Sequence, residues 1–196
     1  MTLLFATGNV DKLKQVQLLL FDIDLISPKD LNLDDIEVIE DGNTLNANAY
    51  KKAKTFYDLT KIPTISDDTG LFVKSIDDRP GVYSHRYAGD NASYKDNRVK
   101  LLTELEGINK REAYFKTVVC FVDNNGKDHY FEGILEGEIT EKEYGDYEFG
   151  YDQIFLPKGF DKTLGQMTSE EINRISHRSK AINSFVKYFK ENLWRF

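Results

Sequence analysis

Two adjacent carboxylates, Asp67 and Asp68, follow the apolar Ile65 in the stretch ISDDTGLF. Two like charges about 4 Å apart repel by about 4 kcal/mol at an effective dielectric constant near 20. A protein tolerates such a pair where a cation, a proton or open solvent relieves the repulsion. Successive residues of a strand point to opposite faces, so only one carboxylate can face a given cleft. We therefore expect one structural and one catalytic carboxylate, with Thr69 adding a hydroxyl group and Gly70 allowing a close turn.

The simpler alternative for this acidic pair is a polar strand end, in which both side chains accept hydrogen bonds from nearby backbone N–H groups. A third carboxylate nearby would favour magnesium, which takes oxygen ligands and often uses one or two carboxylates together with substrate phosphates. Glu37 and Glu40, upstream in IEVIEDG, are candidates for that ligand, and each is by itself an ordinary acidic loop residue. The residues alone leave both interpretations open.

A second group of residues suited to chemistry is segment 7–12, TGNVDK, between the first predicted strand and the first predicted helix. Gly8 and Asn9 can turn successive N–H groups toward one point, and the start of a helix adds partial positive charge, so the segment favours a phosphate. A lysine in the first turn, Lys12, is mildly unfavourable against the helix dipole, which indicates that an anion is expected there. The alternative is a helix capped by Thr7 or Asn9 with solvated lysines.

Two later segments contain groups that could hold a heterocyclic base. Residues 149–152, FGYD, combine a ring for stacking, a flexible glycine and an acceptor carboxylate. Residues 176–178, SHR, stand at the predicted start of the last helix. Taken alone, the first segment is better explained as a buried aromatic strand and the second as a helix N-cap with two exposed polar neighbours.

Strands and helices alternate along the first half of the chain, and these elements must position the residues above. Apolar runs at 2–6, 25–26 and 64–66 predict short strands, and four segments have apolar residues at helical spacing. The residues expected to face inward are Val10, Leu13, Val16 and Leu20 in the first helix, Leu45, Ala49, Ala53 and Phe56 in a helix from Thr44, Val99, Leu102 and Leu105 in a helix from Ser93, and Ile182, Phe185, Val186, Phe189 and Leu193 in the last helix.

The middle of the chain is rich in β-forming residues. Two such runs surround Asn124-Asn125-Gly126, which is typical of a hairpin turn. The sum is an α/β protein whose middle is a mixed or antiparallel sheet. No linker-like stretch divides residues 1–196, so we expect a single domain, which is compatible with two lobes around a cleft.

Composition limits the classes of function. The chain has 196 residues, of which 40% are apolar, with four prolines, and this is typical of a globular domain. The net charge of −7 argues against a nucleic-acid scaffold, although lysines and arginines gathered in one cleft can hold a nucleotide. The single Cys120 is expected to be a buried apolar residue. No apolar run is long enough to span a bilayer, so we expect a cytoplasmic protein without membrane contact.

Six segments, taken together, resemble the inosine/xanthosine triphosphate pyrophosphatase family, enzymes that remove non-standard purine nucleotides. The segments are, in order, TGNVDK, EDGNTLNANAYKKA, SDDTGLF, PGVYSHRYAG, FGYDQIF and ISHR. The resemblance implies an α/β fold with a long central mixed β-sheet flanked by helices, two lobes around a deep cleft, and a homodimer. The implied activity is Mg²⁺-dependent hydrolysis of nucleoside triphosphates such as ITP, dITP and XTP to the monophosphate and pyrophosphate.

The resemblance also implies roles for individual residues. Asp68 would be the general base and a metal-linked carboxylate, Glu40 the matching metal ligand, and Thr69 a substrate contact. Lys12 and Lys52 would be catalytic lysines that reach the phosphates. The remaining residues expected to bind substrate are Thr7, Gly8, Asn9, Val10 and Asp11 around the phosphates, and Phe149, Gly150, Tyr151, Asp152, His177 and Arg178 around the base.

The chain departs from the family pattern at several positions. Ile172 stands where the family commonly has lysine, and Ala47 and Gln15 stand where it commonly has glutamate. Gln153 replaces a usual proline after FGYD, and His85 replaces a usual alanine. The phosphate and metal parts match better than the base parts, so these departures bear mainly on the purine preference. Two alternatives stay open: the same chemistry on a different modified or standard nucleotide, and a nucleotide-binding sensor that has lost turnover.

Overall fold

The structure, a computed structural model, describes residues 2–9, 12–13, 16–17, 20 and 23–192. In these ranges the chain forms seven strands and four α-helices, besides the helical residues 12–13 and 16–17. The strands are β1 (Thr2–Phe5), β2 (Asp24–Ile26), β3 (Thr64–Val73), β4 (Arg79–Gly81), β5 (Glu112–Val122), β6 (Asp128–Ile139) and β7 (Phe155–Pro157). The helices are α1 (Leu45–Thr60), α2 (Tyr94–Glu104), α3 (Ser169–Ile175) and α4 (His177–Asn192).

The seven strands form one mixed sheet. Its order is β2-β1-β3-β5-β6-β7, and β4 pairs with β3 beside this path. Strand β1 runs parallel to both β2 and β3, whereas β4 is antiparallel to β3 and β7 is antiparallel to β6. The predicted α/β class with a mixed central sheet is therefore confirmed.

The chain divides into two compact units. Unit 1 contains Met1–Asp68, Thr117–Glu132 and Lys180–Phe196, and unit 2 contains Thr69–Lys116 and Gly133–Ser179. The boundary after Asp68 falls inside β3, so the acidic pair belongs to unit 1 and the residues after it belong to unit 2.

Helix α1 lies in unit 1 and begins as the sequence predicts. The Thr44 side chain accepts a hydrogen bond from the Ala47 N–H at 3.1 Å, which caps the helix. The predicted inward residues are all buried, namely Leu45, Ala49, Ala53 and Phe56. Burial of this face orients Asn48 and Lys52, one turn apart, on the same side of the helix.

The core of unit 1 is built largely from aromatic rings. Phe121 of β5 packs against Phe185 and Phe189 of α4, with ring centroids 5.4 and 5.6 Å apart. The predicted inward residues Ile182, Phe185 and Phe189 are buried and Val186 is partly buried, whereas Leu193 lies outside the described residues. Leu13 and Val16, in the helical residues that precede β2, also pack in this core. Val10, predicted to face inward with them, lies outside the described residues.

Helix α2 lies in unit 2, and its inward face differs from the predicted one. Val99, predicted to face inward, is 51% exposed, and Asn97, Arg98 and Leu101 are buried instead. The buried Asn97 amide has backbone partners, since its oxygen accepts from the Ala88 N–H at 2.7 Å and its nitrogen donates to the His85 carbonyl at 3.0 Å. These bonds compensate the burial of a polar side chain, so the helix turns a polar face inward.

Strand β3 corrects the expected strand end at the acidic pair. The strand runs on through Asp67, Asp68 and Thr69 to Val73, and Gly70 lies inside it rather than in a turn. A Cβ at position 70 would lie 2.6 Å from the Gly81 carbonyl oxygen of β4, so glycine lets the two strands pair closely. The alternation of sides is as predicted, since Asp67 is buried and Asp68 is partly exposed.

Two further predictions from the sequence are confirmed. Gly126, with φ of 78°, turns the chain between β5 and β6, as the hairpin prediction requires. Cys120 is a buried free cysteine, and burial raises the pKa of its thiol to about 12. Among the described residues, the helices are too short or too polar to cross a bilayer.

Candidate active site

The loop after β1 folds around its own side chains. The Thr7 hydroxyl accepts a hydrogen bond from the Asn9 N–H at 3.1 Å, and the Asn9 side chain accepts one from the Lys12 N–H at 3.1 Å. The capping alternative considered from the sequence is therefore part of the structure. Gly8 has open space where a Cβ would stand, so this loop is accessible to a ligand. Val10 and Asp11, together with Gln15, lie outside the described residues.

Lys12 supplies the cation for one member of the acidic pair. Its Nζ donates to both carboxylate oxygens of the buried Asp67, at 2.9 and 2.8 Å. Asp67 is therefore buried and held by an ion pair, which is compatible with the structural role that the sequence predicts for one of the two carboxylates. The Asp67 carboxylate is thus an anion that Lys12 contacts within the protein, although the two residues are 55 positions apart in the sequence.

Lys52 projects from α1 toward the same carboxylates. Its Nζ lies 2.7 Å from a Glu40 carboxylate oxygen and donates to the Asp67 backbone carbonyl at 3.1 Å. Burial alone lowers the pKa of Lys52, but Glu40, Asp67 and Asp68 together raise it above its ordinary value. The ammonium group therefore stays charged at neutral pH.

Asp68 is held by a residue that sequence reasoning missed. The Asn48 side-chain nitrogen donates to Asp68 Oδ2 at 3.1 Å, and the Asn48 oxygen accepts from the Gly42 N–H at 2.7 Å. The second bond fixes which way the Asn48 amide points. The sequence signal that could have found Asn48 is its position one helical turn before Lys52 in the predicted helix.

A cavity of about 300 Å³ in unit 1 opens beside these groups. Its polar wall contains Thr7, Gly8, Asn9, Glu40 and Lys52. Its apolar lining includes Pro28, Leu33, Ile36, Val38 and Phe56. The cavity lining thus includes the Lys52 ammonium group, the partly exposed Glu40 carboxylate and the exposed loop residues Gly8 and Asn9, which together can bind an anion and move a proton.

In unit 2 the FGYD segment separates into exposed and buried parts. Phe149 is 37% exposed, whereas Tyr151 lies in the core and donates its hydroxyl to the Ser84 carbonyl at 2.8 Å. Gly150 has φ of 52°, which favours glycine, and its carbonyl accepts a hydrogen bond from Arg98 at 2.9 Å. The buried-strand alternative is therefore right about the burial of Tyr151 but wrong about the strand, because Tyr151 lies in a turn before the 3₁₀ helix Asp152–Ile154, and Phe149 is exposed.

Asp152 is a buried carboxyl with two arginines nearby. Burial raises its pKa to about 7, while the positive charges of Arg178 and Arg98 act in the opposite direction. This carboxyl can therefore exchange a proton near neutral pH.

The Ser-His-Arg segment begins helix α4. The Ser176 hydroxyl accepts from the Ser179 N–H at 3.2 Å, which is the capping role considered from the sequence. The buried His177 ring stacks on Phe115 with centroids 4.8 Å apart, and Arg178 is partly exposed. Ile172, at the position of a usual lysine, packs against the unit 2 core, so this part of the unit is apolar.

Arg98 is the second functional candidate that sequence reasoning missed. Its guanidinium is 2% exposed and donates to a Glu143 carboxylate oxygen at 2.6 Å, besides its bond to the Gly150 carbonyl. An arginine in a helix is ordinarily interpreted as a solvated side chain, so no local signal in the sequence identified Arg98.

Thr69 is partly exposed in β3, directly after Asp68.

The fold is that of an α/β protein with a mixed sheet. Its candidate site in unit 1 brings lysines and carboxylates together beside a loop that contains Gly8. The chain belongs to the Ham1 family, whose model matches residues 3–188. This match confirms the family resemblance drawn from the six sequence segments.

Similar proteins extend over nearly the whole chain. A dITP/XTP pyrophosphatase of Caldanaerobacter subterraneus is 41% identical over 196 residues, covering 97% of both chains. One of Flavobacterium psychrophilum is 41% identical over 194 residues, covering 97% of this chain and all of that relative. The solved Staphylococcus aureus Ham1 protein has a TM-score of 0.93 at 33% identity, covering 98% and 100% of the two chains. A HAM1 protein of Coxiella burnetii has a TM-score of 0.91 at 34% identity, covering 97% and 99%.

Proposed function

We propose that this chain hydrolyses non-canonical purine nucleoside triphosphates, such as dITP, ITP and XTP, to the monophosphate and pyrophosphate. The observation that carries the proposal is the group in unit 1 that places Lys12 and Lys52 with Asp67 and Asp68 beside the loop after β1. The names of the relatives at 41% identity support the substrate class.

The phosphates are assigned to the loop after β1 and to two lysines. Thr7, Gly8 and Asn9 offer an exposed loop, and Val10 and Asp11 are included by the family resemblance. Lys12 and Lys52 supply positive charge, and the raised pKa of Lys52 supports its role at neutral pH. Positive charge fixed in advance stabilises the negative charge that develops on departing pyrophosphate.

Glu40 and Asp68 are the proposed ligands of Mg²⁺. Both residues are partly exposed, and the negative charge of each raises the pKa of Lys52. In the described part of the chain, no three side chains of His, Cys, Asp or Glu form a ligand set. Two carboxylates together with substrate phosphates suit magnesium, so the residues fit this ion. When bound, Mg²⁺ would supply positive charge that offsets the negative charge of the polyphosphate.

Asp68 is the proposed general base. It takes a proton from a water molecule that attacks the α-phosphorus, and the bond from this phosphorus to the bridging oxygen breaks as pyrophosphate leaves. The hydrogen bond from Asn48 holds the Asp68 carboxylate in place for the proton transfer. Thr69 contacts the substrate from the next position of β3, and no covalent intermediate forms.

The base is assigned to the FGYD and Ser-His-Arg segments. Phe149 stacks on the base, with Gly150, Tyr151, Asp152 and His177 forming its surroundings. Arg178 donates a hydrogen bond to the 6-oxo group, where adenine presents an amino donor. Because Ile172 supplies no polar group, Arg178 carries a larger share of the selectivity than in relatives with lysine.

A substrate panel tests the proposal. Purified protein is incubated with Mg²⁺ and ITP, dITP, XTP, GTP, ATP or a pyrimidine triphosphate, and pyrophosphate and phosphate are measured separately. Pyrophosphate from the first three, lost with a chelator, is the expected result. Pyrophosphate from another set favours a different nucleotide, and binding without release favours a sensor. Release of single phosphates contradicts attack at the α-phosphorus.

Replacing Arg178 with alanine is expected to lower the preference for ITP over ATP, measured as the ratio of kcat/KM values, by about tenfold or more. The reason is that a site built around one hydrogen bond rejects a base that leaves the donor unpaired. Arg174→Ala, at an exposed arginine of α3, is the matched control. An equal loss of kcat/KM for every nucleotide would instead assign Arg178 to the phosphates.

A homodimer, a cytoplasmic location and action as one functional domain over residues 1–196 belong to the same proposal and rest on the family resemblance. Sedimentation equilibrium of the full chain measures the oligomeric state directly. No nucleic acid or membrane partner is included in the proposal.

A further inference from the structure

The exposed ring of Phe149 in unit 2 has aromatic neighbours. The Tyr94 ring lies 5.4 Å from it between centroids, tilted by 58°, and the Tyr147 ring lies 6.5 Å away, tilted by 31°. Tyr94 in turn meets the His85 ring edge-on at 6.1 Å. We call Tyr94, Phe149 and Tyr147 the aromatic cluster.

The aromatic cluster keeps a large part of its surface accessible. Its three side chains are between 37% and 41% exposed, although aromatic rings generally gain stability from burial. Adjacent exposed rings on one unit form a surface that another flat ring can cover. A nucleobase has such a flat face whatever its hydrogen-bonding groups.

The backbone beneath the cluster is held at several points. Residues 143–150 carry both Tyr147 and Phe149. Arg98 contacts both ends of this segment, through the Glu143 carboxylate at 2.6 Å and the Gly150 carbonyl at 2.9 Å. In between, the Gly145 carbonyl accepts from the Gln153 side chain at 2.6 Å, and the Tyr147 N–H donates to the Gly165 carbonyl at 3.1 Å. The rings therefore start from fixed backbone positions.

Tyr94 is fixed independently of that segment. It is the first residue of α2, directly after the N-cap Ser93, whose side chain accepts from the Asp96 N–H at 3.1 Å. The Asp96 carboxylate bonds back to the Ser93 N–H at 2.8 Å, which completes a capping box. Two separately anchored elements thus bring their rings together at Phe149.

We propose that the aromatic cluster is a platform on which the purine base stacks, with Tyr94 as a positioning residue that sets the plane of the Phe149 ring. The inference rests on the proposed function, in which Phe149 stacks on the base. It adds that this chain gains base affinity from ring area where Ile172 offers no polar contact. The substrate class is a flat bicyclic base, and purines are favoured over pyrimidines by their larger stacked area.

The test compares ligands that contain a base with one that does not. In Tyr94→Ala, the KM for ITP and the dissociation constant of IMP are expected to rise by about two- to tenfold, as loss of an aromatic contact predicts. We expect kcat to stay within twofold and the dissociation constant of pyrophosphate to stay unchanged. The preference for purine over pyrimidine triphosphates should fall. Tyr94→Phe keeps the ring and should restore the wild-type values.

Tyr130→Ala is the matched control, since Tyr130 of β6 is 39% exposed and Tyr94 is 38% exposed. Tyr147→Ala tests the cluster a second time, should Tyr94→Ala fold poorly, and should act in the same direction. Unchanged IMP binding in both variants, or equal losses for IMP and pyrophosphate, overturns the platform. Wild-type protein that binds IMP but releases no pyrophosphate from any triphosphate contradicts the proposed function and leaves the platform measurable through IMP.

Discussion

Replacing Asp68 with asparagine is expected to lower kcat for triphosphate hydrolysis by about 10³-fold, within the range for loss of a general base. Asparagine has the same shape, and its side-chain oxygen can still accept the hydrogen bond from Asn48. Its amide cannot take the proton of the attacking water, so the chemical step fails while the fold remains. Pyrophosphate release at saturating nucleotide and Mg²⁺ measures the effect.

The matched control is Asp41→Asn, because Asp41 is an exposed carboxylate of the neighbouring loop, paired with Lys51 at 2.7 Å. This variant should keep wild-type turnover. Thermal melting of both variants should stay close to that of the wild type, which separates loss of chemistry from unfolding. Wild-type turnover in Asp68→Asn would remove the assignment of Asp68 as general base.

Replacing Arg98 with methionine is expected to lower the free energy of unfolding by about 3 kcal/mol, the low end for breaking a buried ion pair, because Glu143 is partly exposed. The substitution leaves the Glu143 carboxylate and the Gly150 carbonyl without their guanidinium donor. Urea denaturation at neutral pH, read by circular dichroism, measures the change.

A double variant refines this test. Arg98→Met with Glu143→Gln removes both charges and should recover part of the lost free energy of unfolding, because the uncompensated carboxylate is gone. Arg174→Met, at an exposed arginine, should change the free energy by less than about 0.5 kcal/mol. An Arg98→Met protein as stable as the wild type would show that the ion pair makes no net contribution.

Helix α2 illustrates what apolar spacing can and cannot predict. The pattern located the helix and its start at Ser93, and Leu105 is buried as expected. It failed at Val99, because the inward face is occupied by Asn97 and Arg98. Partners of Arg98 lie 45 and 52 positions along the chain, and a count of apolar residues in a short window carries no information about them.

The acidic pair shows the same limit at the candidate site. The sequence predicted that the two carboxylates have different roles and that a cation relieves them. It did not predict that Lys12 pairs with Asp67, because that contact depends on the parallel pairing of β1 with β3. Lys12 compensates the charge of Asp67 within the protein, and β3 continues through the pair to Val73.

Gly42 has a consequence for any survey of tolerated substitutions. A Cβ at this position would lie 2.6 Å from the Asn48 side-chain oxygen, so even alanine must displace the amide that orients Asp68. Gly42 thereby affects the orientation of the Asp68 carboxylate through Asn48. Saturation mutagenesis should therefore find that substitutions at Gly42 lower activity, as substitutions of the reactive groups do. Its proximity to the nucleotide would not by itself identify this residue.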